Sequence, residues 1–181
     1  RRSSLTQTID IGPSILDFFD VDIPKDVMGT PLRKVMQDDT PHREAALFGM
    51  FGGQVNVTDG KYIYMRAPTP SNSPLYHYTL MPSHLRRPFS TDELKDMTWH
   101  APLSFTKNCP VMRIPSNGPV GRAPELYETQ LFDLTNDPDQ TQPLDDPVIE
   151  QQMIDKMLRV MEENDAPPEQ YKRLGLTATG S

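Results

Sequence analysis

The side chains best suited to hold an anionic ligand lie in the irregular middle of the chain. Protonated histidine, lysine and arginine donate charge-assisted hydrogen bonds to negatively charged oxygens. A rim of such groups would suit an anionic substrate, although for any one of them an exposed loop charge is the commoner explanation. The candidate rim residues are His77, His84, Arg86, Arg87, His100 and Lys107.

Metal chemistry is not indicated by the spacing of the usual ligand types. The four histidines show neither an H-x-H nor an H-x-x-x-H pattern, which a histidine-based metal site commonly uses. The acidic stretches Asp137–Asp139 and Asp145–Asp146 are explained by turn formation and helix capping without calcium. We therefore expect no metal site within this chain.

The composition is that of a loop-rich globular protein. The chain has 181 residues, including 19 prolines and one cysteine, and a net charge of -7. The negative net charge indicates that the chain lacks the positively charged surface that binds nucleic acid. A single cysteine cannot form an internal disulfide. No apolar run approaches the roughly 20 residues that cross a bilayer. We expect a soluble chain that binds neither nucleic acid nor membrane.

The start of the sequence has the features of an interior cut. Arg1–Ser4 contain neither an initiator methionine nor the beginning of a signal segment, and both are usual at a natural start. The localisation is therefore left undetermined.

An amphipathic helix is predicted near the start. Asp10 can cap it, Pro13 suits its first turn, and it ends near Asp20. Its apolar residues need a covering layer, so we expect Phe18 and Phe19 to be partly exposed, or buried by a second copy of the chain.

A β-hairpin is predicted around Asp59 and Gly60. These residues separate two runs that alternate with period two, and Asp-Gly in that setting favours a type I′ turn with positive φ at both residues. This register places Val57 opposite Tyr62. Further strands are predicted over 44–48, 76–80 and 127–134, and within 105–114.

The last strong element is a helix over residues 147–164. Asp146 followed by Pro147 is typical of an N-cap and a first helical position. Its apolar stripe should pack on the sheet as core; the stripe consists of Ile149, Met153, Ile154, Met157, Leu158 and Met161. Prolines recur over 67–125, which we interpret as a structured loop region or a partner-facing insert with one short helix at 91–97.

Four segments carry a resemblance to a known family through their order along the chain. They are residues 8–17 (TIDIGPSILD), 23–32 (IPKDVMGTPL), 57–64 (VTDGKYIY) and 128–138 (ETQLFDLTNDP). Together they resemble the C-terminal part of sulfatases of the alkaline phosphatase superfamily. Gln140 departs from the pattern, because the family usually has a glutamate near that position.

The resemblance implies an α+β fold, namely the C-terminal subdomain of a sulfatase-like α/β fold. That subdomain is a small antiparallel sheet of about four strands with a packed C-terminal helix. Residues 1–40 would be the helix and linker that end the large domain. Residues 41–181 would form the subdomain, with the sheet, the proline-rich region 67–125 and the helix 147–164.

The resemblance also implies sulfuric ester hydrolysis by a longer parent protein. In that family the nucleophile is a formylglycine made from a C/S-x-P-x-R motif, and a calcium ion helps to hold the ester. Neither lies in these residues, so we expect no catalytic residue and no cofactor here. The implied partners are the missing N-terminal catalytic domain and an anionic sulfate ester.

One local sequence imitates the nucleophile motif. Arg113 stands four residues after Cys109, but Pro110 is one position early, and the segment follows the hairpin rather than opening a helix of the large domain. We expect Cys109 to be unreactive.

Two alternatives to the sulfatase interpretation stay open at the level of sequence. A phosphonate or phosphodiester hydrolase of the same superfamily would share this architecture. A noncatalytic binding module could use the proline-rich middle as its surface. A second copy of the chain, bound through exposed apolar residues to form a dimer, is a further alternative partner.

Overall fold

The computed structural model describes residues 2–84, 86–116 and 127–177, which form an α+β fold. The strands are β1 (Ala46–Gly49), β2 (Val55–Thr58), β3 (Tyr62–Arg66), β4 (Tyr76–Thr79), β5 (Thr98–His100), β6 (Val111–Pro115) and β7 (Gln130–Asp133). The helices are α1 (Ile11–Phe18), α2 (Arg33–Asp38), α3 (Thr91–Leu94), α4 (Pro147–Glu163) and α5 (Pro168–Arg173).

The chain divides into two compact units. The first contains Arg1–Phe48, Asn56–Arg66 and Thr129–Met161, and the second contains Gly49–Val55, Ala67–Glu128 and Glu162–Ser181. The boundary proposed at residue 40 stays a prediction. Every helix in the described ranges is too short or too polar to span a bilayer.

A four-stranded sheet covered by α4 forms the core of the first unit. The strand order is β1-β2-β3-β7, and β3 runs antiparallel to β7 with Tyr64 paired to Leu131. The Tyr64 hydroxyl, itself in a completely buried residue, donates a hydrogen bond of 3.0 Å to Glu150 Oε1 on α4. The predicted sheet of four strands with a packed C-terminal helix is confirmed.

Helix α4 begins as its cap residue requires. Asp146 Oδ1 accepts hydrogen bonds from the amides of Val148 at 3.0 Å and Ile149 at 3.1 Å, which satisfies donors that have no partner inside the helix. The predicted stripe is its inner face. Met153, Met157, Leu158 and Met161 are buried, and Ile149 and Ile154 are half-buried.

The hairpin forms where it was predicted, but its turn differs by one residue. The Asp59 amide donates to the Tyr62 carbonyl at 3.3 Å, so Gly60 and Lys61 make the turn. Gly60 has a φ of 89°, whereas Asp59 does not have a positive φ, so the predicted type I′ turn is wrong. Continuing the antiparallel ladder from the Asp59–Tyr62 bond implies that Val57 lies opposite Tyr64 rather than Tyr62, which leaves the same side chains on each face.

The first helix begins differently from the prediction. The Asp10 carboxylate accepts a hydrogen bond of 2.8 Å from the Gln7 amide and so caps a single 3₁₀ turn, Thr8–Asp10, that precedes α1. It does not cap α1 itself. Phe18 and Phe19 are 71% and 68% exposed, so the predicted exposure of both rings is confirmed.

The second unit contains a three-stranded sheet with the order β4-β6-β5. Its buried residues include Ile114 and Leu174. The buried Arg173 guanidinium donates to the Gly53 carbonyl at 2.9 Å and to Asn72 Oδ1 at 3.2 Å. The strand predicted within 105–114 begins only at Val111, because the preceding residues form a turn.

Candidate functional site

The pairing of β4, β6 and β5 divides the predicted rim between two faces of the second sheet. His77 pairs with Ile114, and His100 pairs with Val111. Side chains alternate along a strand, so positions 111 and 114 point to opposite faces. His77 and His100 therefore lie on opposite faces, and the six candidates do not form one continuous rim.

On one face, His77 and His84 meet in a cluster of rings. The His77 ring stacks on Phe51 with centroids 4.3 Å apart and planes 17° apart, and it meets the edge of His84 at 5.3 Å. Phe89 packs against His84 at 3.8 Å and against His77 at 5.2 Å. We call His77, His84, Arg87 and Glu93, with Phe51 and Phe89, the histidine cluster.

Glu93 joins the basic members of the cluster. A capping box at the start of α3 fixes its position, with a 2.8 Å hydrogen bond from the Ser90 amide to Glu93 Oε2. Glu93 Oε1 then lies 2.7 Å from His84 Nε2, and Glu93 Oε2 accepts from Arg87 Nη1 at 3.2 Å. One carboxylate thus orders two of the six predicted residues.

The pKa values of His77 and Glu93 are both lowered, for different reasons. Burial lowers the pKa of His77, and the neighbouring His84 lowers it further. Hydrogen bonds from the Ser90 amide and hydroxyl, then from Arg87 and His84, hold the pKa of Glu93 well below its usual range. Near neutral pH the cluster therefore contains an ionised Glu93 and an uncharged His77, and Arg87 is its exposed cation.

The other face carries a different arrangement around Tyr78. The His100 ring meets the Tyr78 ring edge-on at 5.1 Å, and His100 Nδ1 lies 2.8 Å from the Ala101 carbonyl. The Tyr78 hydroxyl donates to Glu169 Oε1 on α5. Burial and the adjacent Glu169 carboxylate raise the pKa of Tyr78, so its hydroxyl stays protonated. Arg113 lies over the Tyr76 ring, 5.0 Å from its centroid.

The remaining two candidates are on the surface. Arg86 is exposed in the loop before Phe89, and Lys107 is exposed in a turn where it and Asn108 both have positive φ. Their assignment to a substrate rim stays a prediction.

Sequence reasoning missed the acidic partners of these basic groups. The position of Glu93 could have been predicted, because Ser90-x-x-Glu93 matches the sequence pattern of a capping box. No sequence pattern indicates the role of Glu169, because only the fold brings it to Tyr78 across a separation of 91 residues.

Side chains that commonly bind metal ions are not grouped together in the described part of the chain. In the ranges 2–84, 86–116 and 127–177, no three His, Cys, Asp or Glu side chains are placed to hold a metal ion. Asp137 accepts hydrogen bonds from Thr141 at 3.0 Å and from the Gln142 amide at 2.8 Å, so its carboxylate stabilises a turn. The calcium ion implied by the resemblance has no ligand set here that fits it, and we assign it no role in this chain.

Comparison with known proteins adds no family assignment to the α+β class. No protein-family model matches the chain, and no curated protein sequence matches it significantly.

Proposed function

We propose that this chain is the C-terminal subdomain of a sulfatase-type hydrolase that cleaves sulfuric esters. The nucleophile and the calcium ion of such an enzyme would belong to a catalytic domain outside these residues. The observation that carries the proposal is the placement of two of the four segments whose order along the chain carries the resemblance. Residues 57–64 and 128–138 contribute β3 and β7, which pair directly in a sheet that α4 covers.

This chain would contribute to substrate binding through Arg87, the exposed cation of the histidine cluster. Of the Arg87 guanidinium nitrogens, Nη1 bonds to Glu93 and to the Pro88 carbonyl, which leaves N–H groups directed elsewhere for an anionic ester. Glu93 accepts a hydrogen bond from Arg87 without filling all of its donors. Arg87 would therefore be a positioning contact for the ester rather than a catalytic residue.

The apolar surface of α1 would pack against the catalytic domain. A cavity of about 260 Å³ lies on this surface. Its lining includes Ile11, Ile15, Phe18, Phe19 and Met36, all of which are exposed. An exposed apolar area of this kind commonly marks an interaction surface.

The coding sequence upstream of Arg1 gives the first test. We expect a C/S-x-P-x-R motif there, several elements ahead of α1, and an unrelated domain at that place would contradict the proposal. The protein that includes this upstream region should hydrolyse para-nitrophenyl sulfate, and replacing the motif Cys or Ser by Ala should abolish turnover.

Steady-state kinetics of the same protein test the role of Arg87. Arg87→Ala should raise KM about threefold to fivefold with little change in kcat, as expected for loss of one solvent-exposed ionic contact. Lys95→Ala is the matched control, because Lys95 is exposed on the same unit and follows α3. Equal KM values for both variants would remove Arg87 from the binding site.

A further inference from the structure

A cavity in the second unit lies outside the histidine cluster. It has a volume of about 390 Å³, within the range of about 300–1,000 Å³ that is usual for small-molecule sites. Its apolar lining includes Leu80, Met81, Phe105 and Val111. Val111 is buried, whereas Leu80 and Met81 are 57% and 66% exposed, so the apolar surface continues from the interior to the solvent.

The hydroxyl groups in the lining are already engaged. Thr79 Oγ1 donates to the Met81 carbonyl at 2.7 Å and accepts from the Met81 amide at 3.0 Å. Thr106 Oγ1 accepts from the Leu103 amide at 3.0 Å and lies 2.9 Å from the Cys109 carbonyl. The Tyr78 hydroxyl donates to Glu169. A ligand that is rich in hydroxyl groups would lose its bonds to water and find few partners here.

The walls of the cavity are held by regular structure and by a closed turn. Tyr78 and Val111 belong to the paired strands β4 and β6. The segment that carries Phe105 is closed by hydrogen bonds from the Thr106 amide to the Leu103 carbonyl at 3.0 Å and from the Cys109 amide to the Thr106 carbonyl at 2.9 Å. A preformed cavity reduces the ordering cost of binding.

We propose that this cavity binds a small molecule through an apolar ring system, aromatic or alicyclic, without hydroxyl groups on the buried part. A volume of about 390 Å³ is sufficient for a bicyclic ring. The engaged hydroxyls discriminate against carbohydrate rings. This binding activity is independent of ester hydrolysis and needs no residue outside the second unit.

Methionine methyl NMR on the 181-residue chain tests the site with two probes. In protein labelled with carbon-13 at the methionine methyl groups, naphthalene should shift the Met81 signal saturably, and methyl glucoside should not. The Met50 methyl is 64% exposed and lines neither this cavity nor the one on α1, so it separates specific binding from general adsorption to apolar surface.

Two charged variants complete the experiment. Met81→Glu should weaken naphthalene binding at least about tenfold, because it places a carboxylate beside an apolar ligand. Met50→Glu should leave binding unchanged, because Met50 is 64% exposed and does not line the cavity. If Met81→Glu fails to fold by circular dichroism, Leu80→Glu replaces it.

Three results would overturn the proposal. They are a naphthalene shift no larger at Met81 than at Met50, an equal shift with methyl glucoside, and unchanged affinity in the folded charged variant. A Met81 signal that changes with protein concentration in the absence of probe would instead assign the cavity to contact between copies.

Discussion

Asp10 shows how one buried carboxylate can organise several separate segments. Its side chain is completely buried, yet it accepts hydrogen bonds from the amides of Thr30 at 3.0 Å and Gln7 at 2.8 Å and pairs with Arg43. Burial by itself raises the pKa of Asp10, but the Thr30 and Gln7 amides and the Arg43 charge outweigh it, and the pKa is lowered. The ionised form is therefore the one that stabilises the fold.

Replacing Asp10 by Asn should destabilise the chain in a pH-dependent way. Near neutral pH the free energy of unfolding should fall by roughly 3 kcal/mol, since Arg43 loses its buried partner. The folded pKa of Asp10 lies below its unfolded value of about 3.9, so this stabilisation is complete above that value and is lost as pH falls through the folded pKa. Urea unfolding of both proteins should show their difference shrinking below about pH 4.

Asp17→Asn is the control for the Asp10 experiment. Asp17 pairs with Arg33 at 2.7 Å, but both side chains are partly exposed, so its loss should cost no more than about 1 kcal/mol. A difference between Asp10→Asn and the unmodified chain that does not change with pH would mean that Asp10 is not ionised in the folded protein.

His77 should titrate below the ordinary histidine pKa of about 6.5. Burial and the adjacent His84 both disfavour its protonated form, so the stability that His77 contributes is complete above about pH 6.5 and is lost as pH falls through its lowered pKa. Proton NMR of the His77 ring gives the midpoint directly. His84→Gln should move that midpoint upward, and a midpoint at or above the ordinary value would contradict the electrostatic description of the cluster.

At the scale of elements, the features that could be predicted are those that local sequence determines. Helix α4 has its cap residue, proline and apolar stripe within one continuous segment, and it forms over Pro147–Glu163. The hairpin was located correctly, but the Asp59 carboxylate accepts from the amides of Lys61 and Tyr62 at 2.9 and 2.8 Å. That competition by a side chain moves the turn by one residue, and an alternation pattern cannot reveal it.

The elements that were missed depend on pairing across the chain. Strand β5 has only three residues, two of them exposed, so no burial pattern marks it before β6 pairs with it. The same pairing also determines that the predicted rim residues do not lie together. The sequence identifies His77 and His100 as basic groups, but the register with β6 places them on opposite faces.

Gly60 gives the sharpest test of the observed turn. A Cβ at Gly60 would meet no atom within 4 Å, so only its φ of 89° opposes a side chain. Gly60→Ala should therefore cost on the order of 1 kcal/mol in chemical denaturation. Gly12→Ala is matched, because its Cβ also meets nothing within 4 Å and it lies in α1 without a positive φ. It should be neutral or stabilising, and equal losses in both variants would place Gly60 in an ordinary conformation.

At the scale of the whole molecule, the two units contain different kinds of surface. The first unit exposes the apolar residues of α1, and the second contains the histidine cluster and the apolar cavity. We propose that each of these surfaces binds a partner or a ligand.

The chain by itself should not hydrolyse aryl sulfates, aryl phosphates or phosphonate esters, with or without added calcium. Ester hydrolysis needs a nucleophile activated by a neighbouring base, a lowered pKa or a metal ion. Cys109 is the only thiol in the sequence. It is exposed, and the partner of its Sγ in the described structure is the backbone carbonyl of Lys107 at 3.9 Å, which cannot act as a general base.

Release of para-nitrophenol from the sulfate, phosphate and phenylphosphonate esters should therefore equal the rate in buffer, for the 181-residue chain and for Cys109→Ala alike. Turnover well above buffer that Cys109→Ala removes would make Cys109 the nucleophile, and the assignment of this chain as a noncatalytic subdomain would then be wrong.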